Sequence, residues 1–362
     1  MENLPAMIPH NRPLITGADK QAVADVLESG YIAQGPEIAA LETDFIDIYG
    51  GGAACAVSSG TAALFLALKG MKIGVGTSVA VPTYSCSSLL NAVHMVGATP
   101  LVVDVRKDDF TIEAVALEQH AKVVDAVIAV HSFGARADIA ALQHLNIPVL
   151  EDCCQSIGGM FKGRPMGSDG TSAVFSFYAS KIVTGGQGGM IWDRTGAVSE
   201  AARDYREFDC REEYVPRFNL QMTDMQAAMV RSQLRRLSDI RARRQKIHGI
   251  YRARLNSSLG IQQGLEDKDR LPHRFVVRFP DLEAREAAKR KFEVAGITVI
   301  VPIERYELLH RYLGLDPDEF QVAESLADTT LSLPLYPALQ DSDIARVADV
   351  LSDVRKTILA NP

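Results

Sequence analysis

Short apolar runs alternate with helix-like segments through the first half of the sequence, and this alternation limits the possible folds more than any other feature. After a run at residues 53–57, further runs occur at residues 78–81, 99–103, 126–130, 149–151, 173–177 and 189–192. Such runs are typical of buried strands, and helices between successive strands produce a parallel sheet covered on both faces. The sequence therefore predicts an α/β domain with a mostly parallel sheet.

The pattern changes after Gly260. Up to that point the predicted helices lie at residues 18–29, 36–49, 62–68, 86–96, 113–119, 137–144 and 197–208, before a long helical segment from residue 223 to about residue 255. Later residues predict short strands at 274–279 and 297–301 and helices at 283–295 and 341–359, as in an α+β unit. We assign residues 1–240, with the N-terminal segment, to a large domain and residues 241–362 to a smaller one joined by the long helix.

The turn after the first predicted strand has the features of an anion site. Ser58, Ser59, Gly60 and Thr61 separate that strand from a helix that begins at Ala62. The first turn of a helix leaves backbone N–H groups unpaired, and the helix dipole favours negative charge there, so phosphate is the expected ligand. A capped helix that binds nothing is the alternative.

A lysine and a carboxylate lie at the ends of two other strands, where open sheets bind their ligands. Lys181 lies between an apolar run and the glycine-rich residues 185–189, and an amine among apolar groups is favoured as the neutral nucleophile that makes a Schiff base. A lysine that reaches solvent is the alternative. Glu151 and Asp152 end another strand, so only one of them faces the site. That carboxylate suits a metal, a general base or a protonated heterocycle, and no set of residues with metal-ligand spacing surrounds it.

The composition excludes several classes of function. A net charge of −7 and a pI near 5.7 argue against a nucleic-acid or anionic-membrane partner. No apolar run has the length of a membrane span and the first residues lack a secretory signal, so we expect a cytoplasmic protein. Five cysteines without CxxC spacing support neither a disulfide framework nor a zinc site. Neither GxGxxG after a strand nor GxxxxGK[ST] occurs, which disfavours dinucleotide and P-loop enzymes.

Four segments occur in order along the chain, at residues 58–61, 151–155, 176–189 and 218–228. Together they resemble the DegT/StrS family of pyridoxal-phosphate-dependent sugar aminotransferases, and the resemblance extends from Ser29 to Tyr336. It implies an aspartate-aminotransferase-like (fold type I) architecture, pyridoxal 5′-phosphate as cofactor, and a homodimer with active sites at the subunit interface.

The resemblance also implies a role for each matching residue. Lys181 would hold the cofactor as a Schiff base and shuttle the proton, and Asp152 would keep the pyridine nitrogen protonated. The other implied contacts are Gln155 at the phenolic oxygen, Gly60, Thr61 and Ser176 at the phosphate, and Asn219, which would reach the phosphate of the neighbouring subunit.

Three positions depart from the family pattern. Cys86 replaces the aromatic residue that stacks on the cofactor ring, and Gln187 replaces the acidic residue before the paired glycines. Residues 296–306 lack the histidine that precedes a tyrosine near the sugar. None of these changes touches Lys181 or Asp152, so the expected transamination is unaffected, whereas the substrate is less well defined.

The expected reaction moves an amino group from an amino acid, L-glutamate by family analogy, to a nucleotide-linked 4-keto-6-deoxy sugar. A cyclitol or another ketone remains open as the acceptor. A related sugar dehydratase is one rival, although those relatives carry histidine where this chain has Lys181. A regulator that keeps the fold without catalysis is the other.

Overall fold

The computed structural model describes residues 7–255, 259–264 and 269–360. Its helices are α1 (Gly17–Ser29), α2 (Pro36–Tyr49), α3 (Gly60–Gly70), α4 (Ser88–Met95), α5 (Ala114–Glu118), α6 (Ile139–His144), α7 (Ala197–Arg206), α8 (Asp224–Leu234), α9 (Leu237–Arg252), α10 (Leu282–Val294), α11 (Leu309–Tyr312), α12 (Gln321–Thr329) and α13 (Asp341–Ala360). Its strands are β1 (Ala53–Val57), β2 (Ser78–Pro82), β3 (Thr99–Val103), β4 (Ala126–Val130), β5 (Val149–Asp152), β6 (Met160–Phe161), β7 (Arg164–Pro165), β8 (Ser172–Ser176), β9 (Gly189–Asp193), β10 (Gly260–Ile261), β11 (Phe275–Arg278) and β12 (Thr330–Leu333).

Seven strands form the central sheet in the order β1-β9-β8-β5-β4-β2-β3. Every neighbouring pair is parallel except those of β9, which runs antiparallel to both β1 and β8. This confirms the predicted mostly parallel α/β sheet. The helix after β1 shows how the sheet is covered: α3 is apolar on all sides and buries every residue from Ala62 to Leu68, as a helix enclosed by other elements must.

The register of the sheet brings the strand-end residues to one edge. Asp152, the last residue of β5, pairs with Val130 on one side and Val174 on the other. Gly189 begins β9 opposite both Val57 and Ser176, which end β1 and β8. The loops that follow β1, β5 and β8 therefore converge with the glycine-rich segment before β9.

The C-terminal part has its own antiparallel sheet, β10-β11-β12, and a separate apolar core that includes Ile247, Tyr251 and Phe275. Ile8 belongs to this core and pairs with Ile297, so the N-terminal segment packs against the C-terminal part of the chain. The division of the chain into residues 1–240 and 241–362 stays a prediction.

Two predicted elements were wrong in this region. The long helix is two helices, α8 and α9, and at the break between them Arg236 bonds both carboxylate oxygens of Asp19 at 2.8 Å. Residues 297–301 form single bridges, Ile297 to Ile8 and Ile300 to Ser332, in place of a continuous strand.

Across the described residues, no helix combines the length and the apolar character that crossing a membrane requires.

Candidate active site

A cavity of about 230 Å³ opens at the edge of the sheet where the loops converge. Seven of the eight predicted site residues line it, namely Gly60, Thr61, Cys86, Asp152, Gln155, Ser176 and Lys181. Two other lining residues, Ser59 in the predicted anion turn and Gln187 before the paired glycines, were noted in the sequence without a site role. The sequence analysis did not single out the rest, which are Leu64, Ser85, Ser88, Cys154 and Tyr178. Five of these seven residues, namely Ser59, Ser85, Ser88, Cys154 and Tyr178, lie within two positions of a predicted residue along the chain.

The first turn of α3 forms one wall and leaves donors free for an anion. The Ser59 side chain caps the helix by accepting the N–H of Ala62 at 3.1 Å. The N–H groups of Gly60 and Thr61, at the first two positions of the helix, have no partner within the helix. Since the helix dipole adds positive potential at this end, the turn suits a phosphate.

Two glycines allow the close packing behind this turn. A Cβ atom on Gly60 would lie 2.8 Å from the Cβ of Ser176 and 3.3 Å from the sulfur of Cys154. A Cβ on Gly189 would lie 2.4 Å from the carbonyl oxygen of Ser59. Both approaches are too short for a side chain, so the anion turn and the end of β8 meet only because these positions are glycine.

The Lys181 turn is fixed by backbone hydrogen bonds to the same glycine-rich segment. Phe177 donates its N–H to Gly188 at 2.8 Å and accepts the N–H of Gly185 at 3.0 Å. Lys181 itself donates its backbone N–H to Tyr178 at 2.9 Å, closing a tight turn after β8. These bonds place the lysine side chain at the cavity without using its amine.

The two carboxylates at the end of β5 lie in different environments. Asp152 lines the cavity at 7% exposure and accepts the N–H of Cys154 at 2.9 Å. Glu151 points to the opposite side, where it is fully buried and bonds His131 at 2.9 Å and the N–H groups of Asp169 and Gly170. Strand alternation thus leaves Asp152 as the carboxylate available to a ligand.

Gln155 is held by the loop that follows β4. Its side-chain oxygen accepts the N–H of Phe133 at 2.7 Å, and Phe133 has a positive φ of 54°. With its oxygen engaged in this way, the amide keeps its N–H groups as donors. A donor at this position suits an anionic oxygen on a ligand.

Two thiols line the cavity, and their environments differ. Cys86 is exposed, whereas Cys154 is part-buried at the base of the cavity. Burial raises the pKa of the Cys154 thiol well above its usual value, the negative charge of Asp152 adds to this, and the positive charge of Lys181 opposes it. Cys154 therefore stays a neutral thiol between the two charged groups.

Asn219 does not line the cavity. It is exposed, and the carbonyl of the next residue, Leu220, accepts the N–H of Ser58 at 2.8 Å. Asn219 therefore lies beside the anion turn of its own chain, and its predicted contact with a neighbouring subunit stays a prediction.

These groups fit a cofactor that carries a phosphate, an aldehyde and a protonated ring nitrogen. The helix turn, packed tightly through Gly60, would hold the phosphate; Asp152 would face the ring nitrogen; Lys181 would meet the aldehyde. The fold and this cavity define an enzyme of the pyridoxal-phosphate-dependent aminotransferase class.

Comparison with known proteins gives the family. The sequence model of the DegT/DnrJ/EryC1/StrS aminotransferase family matches residues 13–352, and the chain belongs to this family. It is 30% identical to the spore coat polysaccharide biosynthesis protein SpsC of Bacillus subtilis (strain 168), over 96% of this chain and 97% of that protein. Among solved structures, it resembles DesV from S. venezuelae in complex with a ketimine intermediate, at 30% identity and a TM-score of 0.85, with 94% of each chain covered.

Two further structures support the fold across the whole chain. The PMP-form of Spr1654 from Streptococcus pneumoniae has a TM-score of 0.91 at 25% identity and covers 98% of this chain and 99% of its own. The aminotransferase TlmJ from Streptoalloteichus hindustanus has a TM-score of 0.89 at 27% identity, with 98% and 100% covered. The predicted fold class, enzyme class and pyridoxal phosphate cofactor are thereby confirmed.

Proposed function

We propose that this enzyme transfers an amino group from L-glutamate to the ketone of a nucleotide-linked 4-keto-6-deoxy sugar. The observation that carries the proposal is the cavity in which Lys181, Asp152 and the anion turn at Gly60 meet. The coarser statement, that the chain is a sugar aminotransferase, follows from its family. The donor, the nucleotide and the position of the ketone are the proposed part.

Two side chains of the cavity, Lys181 and Asp152, have defined roles in this reaction. Pyridoxal phosphate supplies an aldehyde for the amino group and a ring that accepts electrons from the neighbouring carbon. The Lys181 amine would be the base that takes the proton from the substrate carbon and returns it. Asp152 holds the proton on the ring nitrogen from a largely buried position, where its charge is poorly screened by water.

The acceptor is argued from the relatives and from the presence of Lys181. SpsC is described as a polysaccharide biosynthesis protein, which supports an amino sugar destined for a polysaccharide as the product here. Lys181 at the cavity disfavours the dehydratase rival, since a dehydratase of this family would carry histidine there. A cyclitol ketone is the second acceptor to test, because Cys86 and Gln187 line the cavity where the family pattern differs.

The direct test is a product assay with matched acceptors. Purified enzyme is incubated with L-glutamate and either a nucleotide-linked 4-keto-6-deoxy sugar, the corresponding 3-keto sugar or a keto-cyclitol, and the aminated product is identified by mass spectrometry. We expect amination of the 4-keto sugar. Turnover only with the cyclitol or the 3-keto sugar would replace the proposed acceptor, and no amine transfer to any of them would overturn the proposal.

We further propose that the enzyme acts as a cytoplasmic homodimer whose sites are shared between subunits. The segment between α7 and α8 exposes large apolar side chains: Phe208 at 42%, Tyr214 at 93% and Phe218 at 51%. Tyr178, at the cavity itself, is 49% exposed. Exposed aromatic side chains of this kind are typical of a subunit interface, and they support the proposed dimer.

Mixed dimers test the shared site. In a two-fold dimer, each site would combine Lys181 of one chain with Asn219 of the other. Lys181→Ala and Asn219→Ala chains, unfolded and reassembled together, would then give one intact site in each mixed dimer, restoring about a quarter of normal activity by random pairing. If Asn219 serves its own chain, every site carries a defect and activity stays at the sum of the separate variants, which would contradict the shared site.

A further inference from the structure

Arg274 carries a charge that the described part of the chain does not neutralise. No ion pair or hydrogen bond joins it to another described residue, and its Nη1 atom is buried without a partner. Its guanidinium carbon lies 5.3 Å from the centre of the Phe133 ring. Burial lowers the pKa of Arg274, an effect that the charge of Glu307 partly offsets from a distance. An unpaired charge in such a place is costly to the fold unless a ligand uses it.

A second buried arginine nearby, Arg244, does bond the backbone, although its Nε has no partner among the described residues. The Nη1 atom of Arg244 donates to the backbone carbonyls of His273 at 3.1 Å and Leu335 at 3.0 Å. Arg244 is almost fully buried, and these bonds join α9 to the chain just before β11 and just after β12. Among the described residues Arg274 makes no such bonds, so no hydrogen bond within this part of the chain accounts for the position of its charge.

Arg274 lines a small cavity beside the lysine turn. The cavity, of about 30 Å³, is also lined by His10, Asn11, Ser180 and His273, and Ser180 immediately precedes Lys181. Phe133, over which Arg274 lies, accepts the N–H of His273 at 2.9 Å and donates its own N–H to Gln155. Arg274 therefore lies near the main site, with Phe133 between it and Gln155 and with Ser180, the neighbour of Lys181, lining the same cavity.

His273 adds an independent sign of a ligand site. It is 7% exposed, its Nε2 lies 3.3 Å from the Ser180 carbonyl, and its Nδ1 is buried without a partner. Because a carbonyl only accepts, Nε2 carries the proton, which leaves Nδ1 as an acceptor. Burial lowers the pKa of His273 well below its usual value, with the charges of Lys181 and Arg274 adding to the effect, so the ring stays neutral.

We propose that Arg274, next to His273, forms the subsite that binds a carboxylate of the amino-acid donor. A planar guanidinium pairs with a carboxylate through two parallel hydrogen bonds, and an amino acid also presents an N–H donor near its carboxylate, for which His273 Nδ1 is the acceptor. The small volume favours a carboxylate over the diphosphate of a nucleotide. The inference rests on the proposed function, because it assigns the donor within the same reaction.

The test compares carboxylate binding in Arg274→Met and Arg274→Lys with a matched control. Arg278→Gln removes a charge from the same segment, where Arg278 bonds only the exposed Lys107 carbonyl among the described contacts. Glutarate, which has no amine, is titrated into each pyridoxal-phosphate-loaded protein by calorimetry. We expect its dissociation constant to rise about tenfold or more in Arg274→Met, less in Arg274→Lys, and by less than about twofold in the control.

Amination of the bound cofactor by single amino acids identifies which carboxylate binds. If Arg274 holds the α-carboxylate, Arg274→Met weakens the spectral response to L-glutamate and L-alanine alike. If it holds the distal carboxylate, only L-glutamate is affected. Either result supports the subsite, and the difference between them shows which carboxylate of the donor Arg274 binds.

Stability distinguishes this subsite from a structural role. Since no described group pairs with Arg274, Arg274→Met should leave the melting temperature unchanged or raise it. Unchanged glutarate and glutamate binding would overturn the subsite, as would a lower melting temperature with a parallel loss of cofactor. Glutarate binding needs no acceptor, so a protein that binds glutarate through Arg274 but aminates no sugar would refute the proposed acceptor alone.

Discussion

Charged residues lie on both sides of the sheet at the end of β5, but they differ in how many internal partners they have. On the cavity side, Asp152 and Lys181 have charged groups with few internal partners. On the other side, Glu151 bonds His131 and two backbone N–H groups, and Asp169 pairs with Arg136 at 2.8 Å. The cavity side leaves its hydrogen-bonding capacity to a ligand, whereas the far side uses it within the fold.

This difference gives a physical rule for assigning roles. A buried polar group whose partners are all internal contributes to stability, and its loss leaves those partners unsatisfied. A polar group with open capacity at a cavity contributes to binding or chemistry, and its loss costs little stability. Substitutions on the two sides should therefore separate activity from stability in opposite directions.

The largest effect is expected from Lys181→Ala, on the cavity side. The variant loses both the Schiff base and the proton shuttle, so turnover should fall at least about 10³-fold with little change in melting temperature. Borohydride reduction of the wild-type protein, followed by peptide mapping, should label Lys181. The control is Lys162→Ala, on the hairpin between β6 and β7, which should keep both label and turnover. A label on another lysine would refute the assignment.

Asp152→Asn should have the next largest effect. The amide cannot stabilise the positive ring nitrogen, so we expect turnover to fall by about 10²- to 10³-fold while the protein still binds the cofactor through its phosphate. Cofactor content is measured by absorbance and turnover by product formation. Near-normal turnover would show that Asp152 does not carry the electron-withdrawing role.

Gly60→Ala tests the anion turn by filling it. The new Cβ would lie 2.8 Å from Ser176, so the turn must move and the cofactor dissociation constant should rise about tenfold or more. Gly17→Ala is the matched control, because Gly17 also begins a helix and a Cβ there meets nothing within 4 Å. Equal cofactor affinity in the two variants would place the phosphate elsewhere.

The sequence predicted the central sheet and most of the cavity for one reason. Apolar runs define buried strands by themselves, and the carboxyl ends of parallel strands meet at one edge, so the residues after those strands had to converge. That argument needs no knowledge of distant contacts. It brings Asp152 and Lys181 to the same edge of the sheet from the sequence alone, and both line the cavity.

What the sequence could not predict depends on distant partners. Strand alternation separates Glu151 from Asp152 but does not say which faces the cavity, because His131, the partner of Glu151, lies in another loop. The buried face of a helix also depends on its neighbours: in α1, Leu27 is 57% exposed, whereas the adjacent Val26 is only 5% exposed. The unpaired state of Arg274 is visible only once its surroundings are known.

Glu151→Gln should have the smallest effect on activity. It tests the prediction that the side of β5 away from the cavity contributes to stability and not to chemistry. His131 Nδ1 accepts the N–H of Ala137 at 3.1 Å, so its Nε2 carries the proton and donates to Glu151. Glu151 therefore accepts from three donors, which are His131 Nε2 and the backbone N–H groups of Asp169 and Gly170. An amide has a single oxygen, and its NH₂ group must point at one of these donors.

One buried donor then loses its acceptor, which costs about 1–3 kcal/mol of folding free energy. We expect denaturant unfolding to show this loss, while turnover per folded molecule stays within about twofold of wild type. The pair of variants gives a full reversal: Asp152→Asn lowers turnover and spares stability, and Glu151→Gln does the opposite. If Glu151→Gln instead lowered turnover without changing stability, the far side of β5 would take part in the chemistry, and the division of roles between the two carboxylates would be wrong.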